Sequence, residues 1–399
     1  MLSLAGDRRP VAMDSQQSIF VVLGAFFLYE SLLWLPQGAV AFARTWRGRF
    51  QLRHPGRLLG NDFGSIVARA LAPPGRRLFV ASASQITLSP EGIVRERPES
   101  TAPDEPPRRA GEGLAWPAVE SISADRRWIR VNRHKWWKTP SEQNAKDLAG
   151  RLESIRLAPP ELRESRIREW LASGFNVADA KAVLADMETP LRRLEVLGNI
   201  LFVFLFVALL PLSFFYSFQH LWGWIAGLTL LQTIPISLIY RRTHARLYPD
   251  ADDERFTAWL TMLLFAPSAI RAHDGVTLPA LHRFHPLAAA IATLNEDEAR
   301  DYAAFLLRES RFAPPNPGSD DDLRDRTARW HRMESVRGLE ECCESAGWKI
   351  EELLGAPEKS DPESRTYCPR CTAEFVLEEG VCSDCGDVPL RMFDDGAMK

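Results

Sequence analysis

"VLGNILFVFLFVALLPLSFFYSFQHLWGWIAGLTLLQTIPISLIY", residues 196–240, is a run of 45 residues without one Asp, Glu, Lys or Arg. A helix needs about 20 apolar residues to cross a bilayer core. The run is too long for one crossing and suits two, with a polar break at "YSFQHLW" (216–222). Spans are therefore predicted near 197–217 and 221–240. Tyr216, Trp222 and Trp224 stand at the break, where an interfacial belt of aromatic rings belongs. A buried helical hairpin in a soluble core is the competing reading, and the lengths weigh against it.

Upstream, "IFVVLGAFFLYESLLWLPQGAVAFA" (19–43) is long enough for a first span, with Glu30 its one acid or base apart from Tyr29. Arginines set the direction, because cytoplasmic flanks carry the excess of basic residues. Arg44, Arg47, Arg49, Arg53 and Arg57 follow this span with no acid among them. Its other flank, the 1–18 tail, offers Arg8 and Arg9 against Asp7 and Asp14. Arg192 and Arg193 precede the hairpin at 196–240, and Arg241, Arg242 and Arg246 follow it. All three flanks agree: the 1–18 tail and the hairpin loop lie outside, and everything else lies inside. A cleaved signal peptide ending at Ala41-Phe42-Ala43 is the rival, and it would carry those arginines outside.

The totals fit this layout. A chain of 399 residues implies roughly two or three units. A net charge of −3 gives no global case for nucleic acid. Six cysteines are too few for a disulfide scaffold.

A cytoplasmic α+β domain is expected over 58–156. "QITLSPEGIVRE" (85–96) reads as two strands around Pro90-Glu91-Gly92. "RPESTAPDEPPRRAGEG" (97–113) reads as a linker, rich in Pro, Gly and charge. "LAWPAVESIS" (114–123) and "RWIRVNRHKWWK" (127–138) read as two more strands around Asp125-Arg126-Arg127. The basic residues of the second sit beside three tryptophans. They are read as the outward face of a packed strand, with membrane headgroups and nucleic acid as alternatives. Thr139-Pro140-Ser141-Glu142 predicts a helix start with Thr139 as cap, and Leu148, Leu152 and Ile155 repeat at helical spacing behind it. In layout, 78–156 resembles the bacterial PH-like domains attached to membrane proteins. That resemblance implies a small, partly open barrel serving as an adaptor, and it carries over no catalytic residue.

Helices at 161–172 and 177–187, the second capped by Asn176, form a strut over 157–194. A helical region follows over 241–310, in which "RFTAWLTMLLFAPSAI" (255–270) is too short to cross and reads as interfacial or buried. A linker is read at 311–322. A helical segment follows at 323–356, with Leu323, Trp330, Met333, Val336, Leu339, Cys343 and Ala346 as its apolar stripe. Cys343 on that stripe is read as a core residue.

The tail, 366–390, contains Cys368-x2-Cys371 and Cys382-x2-Cys385, ten residues apart. Each pair places two thiolates on a tight turn, and "TAEFVLEEGV" between them has room for a strand, a turn at Glu379-Gly380 and a return. Four sulfurs at the corners of a tetrahedron suit zinc; iron is the less fitting metal. Residues 368–386 resemble a zinc ribbon. Pro369 and Gly386 fit its knuckles, and Thr372 departs where glycine is usual. Paired disulfides are the alternative, disfavoured on a reducing side of the membrane. Four thiolates close the coordination sphere, so the metal is read as structural.

No phosphate loop, nucleophile elbow, zinc-protease helix or dinucleotide fingerprint occurs. His273, His282 and His285, with Asp274, are a weaker candidate for a second metal site. The fold class expected is therefore an α-helical integral membrane protein of three spans. It carries a PH-like α+β domain, a helical C-terminal region and a terminal zinc ribbon, in a bacterial cytoplasmic membrane. Its expected role is a non-enzymatic platform that meets the lipid bilayer and, through its tail, a protein partner, with no nucleic acid expected. The alternative is a subunit of a membrane transport or enzyme complex using intramembrane Glu30. On equal depth, Glu30 is expected to meet Gln232, with Asn199 too far along to compete.

Overall fold

The computed structural model describes Ser18, Val22 and residues 39–44, 50–53, 78–82, 86–96, 111–139, 141–209, 222–249, 251–312, 322–385 and 388–393. Among these residues helix predominates, with small antiparallel sheets toward the N-terminus and a four-cysteine cluster near the C-terminus. The chain divides into two compact units. One comprises Met1–Leu35, Ile66–Gly75 and Thr189–Val276; the other comprises Pro36–Ser65, Arg76–Glu188 and Thr277–Lys399.

The second unit begins with strands β1 (Ala39–Arg44), β2 (Phe50–Arg53) and β3 (Leu78–Ser82), ordered β2-β1-β3. This corrects the first predicted span, because Ala39–Ala43 are strand. Pro36 and Gly38 interrupt the apolar run just before them, and the A-V-A-F-A alternation suits a pleated strand. Ser18 and Val22 are helical, and the rest of 19–38 lies outside the described residues.

Two three-stranded meanders follow. β4 (Ile86–Leu88), β5 (Gly92–Glu96) and β6 (Gly111–Ala115) form one; β7 (Ile122–Asp125), β8 (Trp128–Val131) and β9 (His134–Lys138) form the other. The turn at Ser89–Glu91 stands where it was expected, with Ser89 N donating to Gly92 O at 2.9 Å. Six strands replace the expected four. The predicted strand 114–123 breaks at Pro117 into a short 3-10 turn, Trp116–Ala118. The predicted strand 127–138 is a hairpin whose tip, Asn132-Arg133, takes φ of 49° and 69°. Asn132 tolerates that conformation and fixes it, its Oδ1 accepting from Glu120 N at 2.7 Å. Gly111-Glu112-Gly113, expected in the linker, pairs with β5 instead. Arg127, Arg133, Lys135 and Lys138 are exposed, as expected, but Trp136 and Trp137 are both buried: a register shift opposite Ile129 and Arg130 breaks the strict alternation of β9.

Helix α1 (Glu142–Arg156) closes these meanders, burying Ala145, Ala149, Leu152 and Ile155 against Ile93, Trp116, Ile129 and Val131. Its cap is Ser141, whose side chain accepts from Asn144 N at 3.0 Å, not Thr139. Thr139 is buried and donates to Ser141 O at 2.7 Å. α2 (Pro160–Gly174) and α3 (Val177–Ala185) follow, with Asn176 capping α3.

The first unit contains α4 (Glu188–Phe202), which continues as a π-helical stretch to Leu209; residues 210–221 lie outside the described residues. α5 (Trp222–Leu247) runs seven residues past the predicted end of its span, through Arg241 and Arg242. It is the one helix among the described residues long and apolar enough to cross a membrane. Between 223 and 238 its exposed positions are all apolar, while its covered side mixes Ile236 and Tyr240 with polar groups. Thr233, Ser237, Thr243 and His244 are buried, whereas Trp224 is 74% and Leu231 67% exposed. α6 (Asp252–Leu264), α7 (Ala266–Ile270) and α8 (Ala272–Leu281) follow, the unit boundary falling within α8.

In the second unit α9 (Pro286–Thr293), α10 (Glu296–Arg311), α11 (Leu323–Ser345) and α12 (Ile350–Leu353) enclose a core of Leu287, Tyr302, Leu307, Leu339 and Cys343. α11 also lies on the β4–β6 sheet. Ser89 Oγ and Thr327 Oγ1 are hydrogen-bonded at 2.9 Å, and Leu88 N donates to His331 Nδ1 at 3.4 Å. This partner reshapes the predicted stripe: Met333 is exposed, and Thr327, Glu334 and Gly338 are buried. Phe175 stacks on His285, ring centroids 4.2 Å apart, and a Cβ at position 338 would come within 2.3 Å of the same ring. Gly338→Ala is expected to destabilise this unit by about 1–3 kcal/mol in a denaturant titration. An unchanged midpoint would show that Phe175 can move aside freely.

Candidate metal centre

The tail folds as short strands around its cysteines. β10 (Thr366–Tyr367), β11 (Glu374–Phe375) and β14 (Arg391–Met392) form one sheet, ordered β11-β10-β14; β12 (Val381–Cys382) pairs with β13 (Val388–Pro389). The expected strand and return between the knuckles exist as β11 and β12, but they belong to different sheets. Gly380, at the anticipated turn, has φ of 154°. Its carbonyl accepts from Leu390 N at 3.0 Å, which ties the turn to the second sheet.

The first knuckle is Cys368–Thr372. Thr372 N donates to Cys368 O at 2.9 Å, which closes the turn, and Cys368 N donates to Ala373 O at 2.9 Å. Closing it places Thr372 at φ of 61°, a left-handed conformation costly for a β-branched residue. Thr372→Gly is therefore expected to stabilise the metal-loaded tail by about 1 kcal/mol, read as slower zinc transfer to a chelator. Faster transfer would count against strain at this position.

The four sulfurs of Cys368, Cys371, Cys382 and Cys385 lie within 4.8 Å of one another, with Cys371 exposed and the other three buried. Cys371 and Cys382 Sγ are 3.8 Å apart. A regular tetrahedron with Zn–S bonds of about 2.3 Å has edges of about 3.8 Å, so the cluster fits a tetrahedral ion such as zinc. All six cysteines are free thiols. Burial pushes the Cys371 thiol up to about 11 and raises that of Cys385 further. Burial acts the same way on Cys368, but N–H groups of Cys371 and Arg370 outweigh it and hold its thiol below the usual range. A bound cation would deprotonate all four.

The knuckle is fastened to α10. Arg308, 7% exposed, donates to Pro369 O at 3.2 Å, Leu353 O at 3.1 Å and Gly355 O at 2.6 Å. Arg370 donates to Glu309 Oε2 at 2.7 Å and to Cys385 O at 3.2 Å, so one side chain joins both knuckles to the helix. Composition gave no sign of Arg308; its meaning comes only from carbonyls 45 to 61 residues away.

The other candidates separate. Among the described residues the four cysteines are the one group of three or more metal-ligating side chains, so His273, His282, His285 and Asp274 do not gather. His285 caps α9, its Nδ1 accepting from Leu287 N at 3.2 Å. Burial lowers His282 to about 4; burial and His331 lower His285 to about 3, so both rings are neutral. Cys343 is a core residue, as expected, and burial pushes its thiol up to about 12. Glu30 lies outside the described residues. Gln232 Nε2 donates to Leu228 O at 3.2 Å, and among the described residues its Oε1 has no hydrogen-bond partner. Asn199 Oδ1 likewise has none among them. Comparison of the chain with protein-family models, with curated proteins and with solved structures gives no match.

Proposed function

We propose that this chain is a membrane-anchored, non-enzymatic platform, with its larger regions on the cytoplasmic side and its tail presented to a protein partner. The observation that carries this reading is the closed four-cysteine cluster fastened to α10 through Arg308 and Arg370. A four-thiolate ion has no open position for substrate, so its contribution is to hold a surface in place. That surface combines exposed Val376, Leu377, Val381 and Met392 with exposed Glu379 and Asp384, and with Glu378 paired to Arg365. An acidic surface of this kind disfavours phosphate backbones. The one arginine between 368 and 388, Arg370, is already paired with Glu309.

The wholly apolar exposed positions of α5 over 223–238 support the membrane assignment, and the arginines at 44–57, 192–193 and 241–246 support the orientation. The three-span arrangement and the zinc-ribbon identity of the tail belong to this reading. So does a PH-like adaptor at 78–156, supported by two three-stranded meanders closed by α1. The test is affinity purification of the full chain and of Cys368→Ser from membranes in mild detergent. Protein partners lost only from the variant support the platform; the same partners from both would sink it.

A further inference from the structure

α6 carries an apolar stripe that faces away from the protein: Phe256, Leu260 and Leu264 are 55, 39 and 78% exposed. It follows α5 after four residues, 248–251, and folds back along it. The Arg241 guanidinium of α5 lies over the Trp259 ring, 5.4 Å from its centroid. That contact sets Trp259 level with Arg241 and Arg242, which end the apolar part of α5. Leu264 is five residues farther on, about 7.5 Å toward the middle of α5 at about 1.5 Å per residue. There α5 exposes Leu231, Ile234 and Leu238, so the two uncovered apolar faces adjoin.

The threonine hydroxyls of both helices behave as lipid requires, whereas Trp259 Nε1, Gln232 Oε1 and Ser268 Oγ have no hydrogen-bond partner among the described residues. Thr257 and Thr261, both on the exposed side of α6, donate to Asp253 O at 2.9 Å and Thr257 O at 2.8 Å. On α5, Thr229 Oγ1 bonds Ile225 O at 2.8 Å and Thr243 Oγ1 bonds Ile239 O at 2.9 Å. Hydroxyls satisfied on their own helix need nothing from the solvent. Where α6 stops, the chain enters α7, in which Ser268, Ala269 and Ile270 are buried. Non-helical backbone at membrane depth is tolerated only under such cover.

We infer that α6 is a half-inserted helix. Its acidic first turn, Asp252–Glu254, sits at headgroup level, and Leu260 and Leu264 enter the acyl chains of the cytoplasmic leaflet beside α5. The inference rests on the membrane reading of α5. The leaflet's apolar half is about 15 Å thick, so the helix reaches roughly its middle and does not cross.

The test uses the full chain in vesicles of phosphatidylethanolamine and phosphatidylglycerol. A photoreactive benzophenone residue is placed singly at 260, 264, 231 or 333, and illuminated products are identified by mass spectrometry. Lipid adducts at 260 and 264 as abundant as at 231, with none at 333 on exposed Met333, are the expected result. Adducts at 231 but not at 260 or 264 would overturn the half-inserted helix and leave the α5 span intact. Crosslinks from 264 to a second copy of the chain would also overturn it. Absence of lipid adducts at all four positions would remove the membrane reading together with the inference.

Discussion

Cys368→Ser is expected to strip the metal from the tail and open residues beyond 356 to protease, while the helices of the first unit are unaffected. The tail's own core is small: Tyr367, Phe393 and Val388 are buried with Cys368, Cys382 and Cys385, and Phe375 and Leu390 are half-buried. So small a core leaves the ion as the main source of cohesion, and structural zinc supplies about 10–16 kcal/mol in comparable small folds. Elemental analysis should find one zinc per chain in protein prepared without chelator and markedly less in the variant. Limited proteolysis should release a C-terminal fragment from the variant only. A variant that kept its full zinc and its resistance would show that the cluster is not the tail's organising element.

Arg308→Met is expected to detach the tail from α10 without opening the four-cysteine cluster. Burial lowers the guanidinium pKa, so charge at this position is held against desolvation by its bonds to three carbonyls. Hydrogen bonds to a charged group are worth about 1.5–3 kcal/mol each, and buried acceptors left unpaired add to the loss. Roughly 5–9 kcal/mol of docking energy should disappear. Hydrogen exchange across 366–392 should accelerate while the zinc content stays at one per chain. Arg308→Lys should recover little, because an ammonium cannot fork to carbonyls on two sides. Unchanged exchange in Arg308→Met would mean that Glu309 and Arg370 alone hold the tail.

Local signals were legible where the chemistry is local. The cysteine spacing located all four members of the cluster, because two thiols on one turn need only their own loop. Asn176 was readable as a cap, since it accepts from the N–H three residues on. The failures occur where distant chain decides. Apolarity extended the first span through Ala43, yet Ala39–Ala43 join strands 50–53 and 78–82, which no window around them reveals. Met333 looked like a core position on α11, but the helix turns Thr327 and Glu334 inward to meet Ser89 and Arg168. Arg308 was one arginine among many until the carbonyls of Pro369, Leu353 and Gly355 converged on it.

The bond between Ser89 and Thr327 also imposes a count. Two side chains can touch only if they lie in the same compartment, and this pair brackets every residue from 90 to 326. Asn144 Nδ2 donating to Pro279 O at 3.1 Å narrows the bracket to 145–278. A string whose two ends are fixed on one side of a sheet pierces that sheet an even number of times. If α5 crosses the bilayer, one further crossing inside 145–278 is obligatory, and a lone anchor at α5 is ruled out by parity alone. The apolar stretch beginning at Val196 is the one available to complete the pair, and no arginine has to be counted to reach that result.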